Sequence, residues 1–483
     1  MLFNSYIFVL MFLPLCLIGY FGLNRMKKYS LAQIFLLGMS LWFYGYFNVK
    51  YLLIIIFSVL FNYGVYRFMV KIGESKWRKP TMILGVSINV GVLVYFKYMD
   101  FFIGNINGLF KTDIEFLKIA LPLGISFFTF QQISFIVDAY RAEIPDYKFL
   151  DYANFVTYFP QLIAGPIVTH DELVPQFADR EKRKFNTDSF TQGLFMFTLG
   201  LSKKVLLADC FGSAVTYGYT TVNQLSSVTA LIVMLSYTIQ IYFDFSGYSD
   251  MAIGLGKMMN IDLPVNFDSP YKALTITEFW SRWHKTLTRF LTKYVYIPLG
   301  GNRKGNVRTY VNVFLVFLIS GLWHGASWNF VFWGACHGIF MVITRAFKKF
   351  FDRLHPVFNW ILTFSFVNVM WVFFRAENFS QALTLLKALV SWNFSFDNTF
   401  IQIFRFAELK KVLSFVRVED RYPAFLITAF FAVAFVLLLG SENAYEKMQK
   451  FKPNFWRFVI TLFLFTWCVF SFAGISEFLY FNF

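Results

Sequence analysis

The sequence predicts an all-α polytopic membrane protein, and three observations carry that expectation. Of 483 residues, 57% are hydrophobic and only 15% are charged, against roughly 25% charged in soluble domains. Near-continuous apolar segments of membrane length recur along the chain. The basic residues behind the formal net charge of +16 sit in short loops between those segments. That is the positive-inside pattern, so the nucleic-acid partner a basic soluble chain would suggest is set aside. One membrane domain over residues 1–483, partnered by the lipid bilayer, fits better than several soluble ones. Cys16, Cys210, Cys336 and Cys468 lie far apart in apolar surroundings. With no CxxC pair and no HExxH pattern, neither a disulfide framework nor a metal site is expected.

The elements follow in order. Residues 6–21 form the first apolar segment, with no basic residue before it and no small-residue cleavage site after it, so an uncleaved helix is expected. Arg25, Lys27 and Lys28 follow directly, which places that end in the cytoplasm and the N-terminus outside. Segments 31–47, 51–70 and 82–98 continue the alternation around the basic loop 71–79. Residues 121–133 hold the helix breakers Pro122 and Gly124 with Ser126, Thr129, Gln131 and Gln132. Such a stretch lines a covered cavity or packs inside a bundle through interhelical hydrogen bonds. Pro160 and Pro166 predict a kinked or re-entrant element over 155–168, and His170, beside Asp171 and Glu172, reads as a surface histidine.

Residues 179–184 read as an inner loop by charge. An apolar helix follows from Phe190, with Lys203 and Lys204 near its end, and another runs over 228–243. Residues 275–293 mix Trp280, Trp283 and Phe290 with Arg282, His284, Lys285, Arg289 and Lys293. That is too charged to span lipid and predicts an amphipathic helix at an interface or cavity. Residues 300–305 form a basic glycine turn able to bind phosphate through backbone N–H groups. The late apolar segments are 358–374, 424–439 and 458–472. Residues 375–422 lack a membrane-length run and are expected to be extracytoplasmic.

The candidate chemistry centres on Gly321-Leu322-Trp323-His324-Gly325-Ala326-Ser327-Trp328, inside the apolar run 311–340. An ionisable group at membrane depth is costly and marks function; the plain alternative is a core histidine bonded to a neighbouring helix. His284 is too distant in sequence for one helix to bring the two together. Without a GxSxG elbow, a serine triad finds no support. A histidine acting as general base on an incoming hydroxyl needs neither elbow nor metal.

Four stretches, in order, resemble the membrane-bound O-acyltransferase (MBOAT) family: Tyr242-Phe243-Asp244-Phe245-Ser246-Gly247-Tyr248-Ser249-Asp250, Ile276-Thr277-Glu278-Phe279-Trp280-Ser281-Arg282-Trp283-His284, Leu299-Gly300-Gly301-Asn302-Arg303-Lys304-Gly305 and the block around His324. The bacterial branch with AlgI, PatA and DltB is the better match. Residues 126–133 and 158–168 look like PatA, and Trp371-Val372-Phe373-Phe374-Arg375-Ala376-Glu377 with the tail Glu477-Phe478-Leu479-Tyr480-Phe481-Asn482-Phe483 looks like AlgI.

The resemblance implies a helical bundle with re-entrant and amphipathic helices around a central tunnel, in the bacterial inner (cytoplasmic) membrane. It implies transfer of an acyl group from a cytosolic thioester to a hydroxyl. His324 matches the histidine of the family's Leu-Trp-His-Gly motif, and His284 matches its earlier site residue; these are the expected catalytic pair. The implied donor is acetyl-CoA, without a metal. Arg282, Lys285 and Arg303 are expected to meet the anionic donor, and Asp244, Ser246 and Asp250 to form a polar tunnel wall. The implied result is O-acetylation of a cell-surface polysaccharide, peptidoglycan or an exopolysaccharide such as alginate. An extracytoplasmic acetyltransferase partner, PatB- or AlgJ/AlgX-like, would complete it. DltB-like D-alanyl transfer to teichoic acid and transport of a polar solute remain the alternatives.

Overall fold

A computed structural model describes residues 1–404, 425–473 and 478–479. Its regular structure is helical, with no strand among the described residues. Six of these helices are long and apolar enough to cross a membrane, so the chain forms the all-α, multi-pass membrane architecture its composition predicts. It divides into two compact units. One comprises Met1–Phe197 with Met251–Val265, the other Thr198–Asp250 with Asn266–Phe483.

The first unit is built on α1 (Phe8–Arg25), α2 (Tyr29–Gly45), α3 (Lys50–Ile72), α4 (Arg78–Phe110), α5 (Ile125–Tyr140), α6 (Phe149–Thr157), α7 (Phe159–Leu162), α8 (His170–Ala178) and the start of α9 (Thr187–Ser202). Its aromatic core sets the Phe12 ring 5.2 Å from Phe159 and 5.7 Å from Phe43, in the tilted and edge-on arrangements that ring quadrupoles favour. α4 runs about 50 Å at 1.5 Å per residue, longer than the apolar segment 82–98 suggested.

Pro122 and Gly124 do not break a helix; they precede one. Gly124 has φ +71° at the N-cap of α5, and a Cβ there would lie 2.9 Å from the Leu162 carbonyl oxygen. α5 is then continuous and buried on nearly every face. Its Gln132 Oε1 accepts from Ser58 Oγ at 3.2 Å, from Tyr152 Oη at 3.5 Å and from Asn62 Nδ2. Gln132 is thus met by hydrogen bonds from neighbouring helices. The expected kink near Pro160 forms: Tyr158 leaves helical geometry between α6 and the single turn of α7.

His170 corrects the surface reading. It is 3% exposed, its Nε2 lies 3.6 Å from the buried Asp138 carboxylate, and its Nδ1 is 3.3 Å from Tyr147 Oη. Asp171 and Glu172 instead occupy the first turn of α8, where a helix N-terminus favours anions. Their presence beside His170 in sequence said nothing about where its ring points.

The second unit takes up the end of α9, a π-helical turn over Lys203–Ala208, and then α10 (Asp209–Thr220), α11 (Ser227–Met258) up to Asp250, α12 (Ile276–Arg282), α13 (Lys285–Leu291), α14 (Gly305–His324), α15 (Trp328–Ala346), α16 (Lys348–Phe351), α17 (Pro356–Arg375), α18 (Phe379–Leu389) and α19 (Thr399–Ile403). It closes with α20 (Phe425–Gly440), α21 (Ala444–Gln449) and α22 (Phe455–Phe470). α14 and α15 pack backbone to backbone. A Cβ on Gly321 would lie 2.3 Å from the Phe330 carbonyl oxygen and 3.0 Å from Gly334 Cα, so only glycine allows that approach.

Within residues 375–422, the described part caps other elements of this unit. The Ser227 N–H donates to the Asn393 carbonyl at 2.7 Å, and Ser226 Oγ to the Ser395 carbonyl at 2.6 Å. Tyr217 Oη donates to Asp397 at 2.5 Å; with the Thr399 N–H it holds that carboxyl below its usual range. Trp392 remains 81% exposed and Phe394 67%. Residues 405–422 of this segment lie outside the described residues.

Candidate active site

Both candidate histidines sit at helix ends of the second unit. Residues 275–293, expected as one amphipathic helix, form two, α12 and α13. Between them Trp283 is extended and His284 is left-handed, with φ +46° and ψ +51°. A non-glycine residue holds that conformation only where the surroundings impose it. Here residues 266–268 impose it. The Asp268 N–H donates to the Arg282 carbonyl at 3.0 Å, and the Lys285 N–H to the Asn266 carbonyl at 2.9 Å. Backbone groups freed by the break are thereby satisfied. The break leaves His284 fully buried, while Arg282 and Lys285 on either side keep partial exposure.

Asn266 decides which imidazole nitrogen carries the hydrogen. Its Oδ1 accepts the Thr286 backbone N–H at 3.3 Å and the Thr286 hydroxyl at 3.0 Å. A backbone N–H only donates, so the amide oxygen faces this cluster. His284 Nδ1, 3.0 Å from the same oxygen, is therefore a donor. The neutral ring carries its lone pair on Nε2. Burial pushes the His284 imidazole down to about 3, so the ring stays neutral at physiological pH.

Asn266→Leu removes the acceptor of three donors at once. We expect it to lower transfer by at least about tenfold, the worth of losing roughly 1–3 kcal/mol of buried hydrogen bonding. Asn266→Asp keeps an acceptor and should restore most of the rate. It should also move the acid limb of the pH–rate profile to higher pH, because a carboxylate on Nδ1 favours the protonated ring. An unchanged profile and rate in both variants would remove Asn266 as a positioning residue.

His324 is the last residue of α14 and is 2% exposed. Its ring meets Trp323, Trp333 and Phe374 at 4.9, 5.2 and 5.2 Å. Trp323 also packs on His284 at 6.1 Å, so one indole joins the two imidazoles. A helix C-terminus stabilises positive charge, which suits an imidazole that gains a proton during reaction.

His337, on α15, was not singled out from sequence. It is fully buried, accepts the Trp280 indole N–H on Nδ1 at 3.2 Å and lies 4.6 Å from Trp333. Its signal was the one that marked His324: an imidazole within an apolar run. Asn266 carried no comparable mark, because its role depends on the loop that brings it to His284.

The expected polar wall is a charge-paired core. Asp244 lies 2.6 Å from Lys204, which also reaches Asp209 at 2.8 Å, and Asp250 lies 2.6 Å from Lys203. Ser246 is buried on the same helix, α11. Asp244 Oδ2 also accepts the Leu479 N–H at 2.9 Å. Phe478 stacks on Tyr248 at 4.6 Å and meets Phe245 at 5.7 Å, and Phe245 lies edge-on to His284 at 4.8 Å. Phe478 and Leu479 thus pack beside residues that surround His284.

Of the three expected donor cations, Arg282 is 2.8 Å from Glu278 and Lys285 is 3.8 Å from Asp268. Arg303 stands exposed after Gly300 and Gly301, which adopt φ +105° and +54°. A cavity of about 300 Å³ opens among α12–α15, lined by Trp280, Leu287, Leu291, Phe317, Met341 and Arg345 among others. That is within the range of small-molecule sites. Among the described residues no group of three or more His, Cys, Asp or Glu side chains is placed to hold a metal ion.

A sequence model of the membrane-bound O-acyltransferase family matches residues 118–379, which include both histidines, Asn266 and the α14–α15 pair. The chain is 45% identical over 423 residues to the peptidoglycan O-acetyltransferase of Helicobacter pylori, covering 81% of this chain and 80% of that protein. It is 38% identical over 445 residues to the probable alginate O-acetylase AlgI of Pseudomonas putida, covering 90% and 87%. To the teichoic acid D-alanyltransferase of Streptococcus thermophilus it is 28% identical over 242 residues, covering 47% and 57%. With the helical architecture and the histidine-bearing helix ends, these matches place the chain in the membrane-bound O-acyltransferase family, as a multi-pass membrane acyltransferase.

Proposed function

We propose that this enzyme moves acetyl from cytosolic acetyl-CoA across the inner membrane for O-acetylation of a cell-surface polysaccharide, peptidoglycan or an exopolysaccharide such as alginate. The observation that carries the reading is the pair of buried imidazoles on Trp323, one with a fixed tautomer and one at a helix C-terminus. Relatives named as O-acetyltransferases match most of the chain, whereas the D-alanyltransferase match covers about half of it. Acetyl is therefore preferred to D-alanyl.

In this mechanism His324 takes the proton of the acceptor hydroxyl as its oxygen forms a bond to the thioester carbonyl carbon. The C–S bond then breaks, and the imidazolium returns the proton to the departing thiolate, giving an acetyl ester and free CoA thiol. His284 stays neutral and orients acceptor or donor through Nε2. The cavity behind Trp280 takes the donor's thioester arm, with Arg345 at its edge and Arg303, Arg282 and Lys285 as further cations for the anionic end. Asp250 held by Lys203 and Asp244 held by Lys204, with Ser246 buried on the same helix, keep the polar interior in place.

Loop charge supports an outside N-terminus and outside 375–422, with 25–28 and 179–184 inside. Cysteines introduced at those positions should react with an impermeant reagent in that pattern. Labelling of the 179–184 loop from outside intact cells would overturn the topology. The exposed Trp392 and Phe394 support docking of an extracytoplasmic transferase, PatB- or AlgJ/AlgX-like, on this segment. The function is tested by supplying purified protein with labelled acetyl-CoA, with and without such a partner. Label should reach the partner or polysaccharide. Transfer from a D-alanyl carrier in place of acetyl-CoA would overturn the acetyl reading.

A further inference from the structure

The first unit contains a second cavity, of about 620 Å³, remote in sequence from His284 and His324. It lies at the basic end of α1, between that end, the first residue of α2 and the loop joining α8 to α9. Arg25, Lys27, Arg180, Arg183 and Lys184 line it, together with a single carboxylate, Glu181, which Lys184 holds at 2.7 Å. Phe21, Tyr29 and Phe185 supply aromatic walls, and Phe21 meets Phe185 edge-on at 5.3 Å.

The loop is held in shape rather than left as a loose run of charge. Arg183 Nε donates to the Phe177 carbonyl at 3.0 Å, and the guanidinium lies over the Tyr29 ring at 4.6 Å. Such stacking fixes the planar group and leaves its outer N–H donors available for an oxyanion. Lys182, the one cation of this loop not lining the cavity, bridges to Gln176 at 2.6 Å and to Asp262 at 2.5 Å. Asn260 Nδ2 donates to the Lys184 carbonyl. Among the described residues no carboxylate reaches Arg25, Lys27, Arg180 or Arg183 within ion-pair distance. Cations elsewhere in this unit do find carboxylates: Arg67 lies 2.5 Å from Asp146, and Lys257 2.7 Å from Asp262.

We propose that this cavity binds the phosphodiester headgroup of an anionic phospholipid. Concave placement of unneutralised arginines supplies the oxyanion contacts. The position, where an apolar membrane helix gives way to basic residues, is where acidic headgroups lie. Aromatic rings at the rim suit the glycerol–acyl boundary. A soluble phosphate ester offers the same oxyanion chemistry, and the apolar rim is what favours a lipid over it.

The test is native mass spectrometry of the full-length protein titrated with phosphatidylglycerol or, as the neutral reference, phosphatidylethanolamine. Phosphatidylglycerol should bind in preference. Arg25→Gln/Arg180→Gln/Arg183→Gln should weaken it by roughly 100-fold, given the worth of each basic residue beside an acidic headgroup. Arg180→Gln alone, at an exposed position that leaves the fold intact, should weaken it roughly fivefold. Lys71→Gln/Lys76→Gln/Lys79→Gln, in an equally basic loop outside this cavity, should leave it unchanged. The proposal is overturned by undiminished binding in the triple arginine variant, by an equal loss in the lysine variant, or by displacement of the lipid with millimolar inorganic phosphate or coenzyme A.

Discussion

Replacing His324 by Ala is expected to lower single-turnover acetyl transfer at saturating donor by roughly 10²–10⁴-fold, the usual contribution of a general base. The protein should still purify as a monodisperse species and still bind acetyl-CoA. Folding survives because Trp323, Trp333 and Phe374 keep their own packing. Any cost of the void is relieved in His324→Gln, which fills the space yet is no base. Donor binding survives because the proposed donor contacts are the cavity behind Trp280 and its cations, not the imidazole. His284→Ala should also lose activity, with a larger share of the loss in substrate affinity, since that ring orients rather than accepts the proton. His355 is the control. It is an exposed N-cap that accepts the Val357 N–H at 3.3 Å, so His355→Ala costs about 1 kcal/mol of stability and no transfer. A well-folded His324→Ala or His324→Gln enzyme with near-normal single-turnover rate would sink the mechanism.

The second large effect is on stability. Lys204→Met should destabilise the protein by about 3–5 kcal/mol, the typical cost of removing one member of a buried ion pair. The Asp244 side chain is 1% exposed and lies 2.6 Å from the lysine. Without its cation, the Leu479 N–H is its remaining partner among the described residues, too little for an ionised carboxylate at that depth. Asp209, whose side chain is 19% exposed, can rehydrate and contributes less. The double variant Lys204→Met/Asp244→Asn should recover much of the loss, because both charges are then gone. Thermal unfolding in detergent, followed by tryptophan fluorescence, reads the shift. An unchanged midpoint in Lys204→Met would show that this cluster does not hold α11 in place. Loss of transfer alongside stability would tie the polar core of α11 to the site through Phe245, which packs on His284.

What the sequence determined by itself was whatever composition and local pattern control. Apolar run length and loop charge gave the helices 8–25, 50–72 and 356–375 within a few residues, because a bilayer forces each spanning segment to satisfy its own backbone. An imidazole inside the run 311–340 marked His324 as a candidate, since burying such a group is costly, and the structure does bury it. Tertiary contacts decided the rest. No helix signal marks the break at His284, because it is imposed by residues 266–268, which hydrogen-bond across it. Asn266 becomes the tautomer-setting partner only through that crossing. The sequence left Gln132 either lining a cavity or packed inside the bundle, and read His170 as a surface group. Each is buried because side chains from distant segments, Ser58 and Asn62 in one case and Asp138 and Tyr147 in the other, meet their polar atoms. A polar group in an apolar chain announces that it needs a partner, but only the packed helices decide which one it finds.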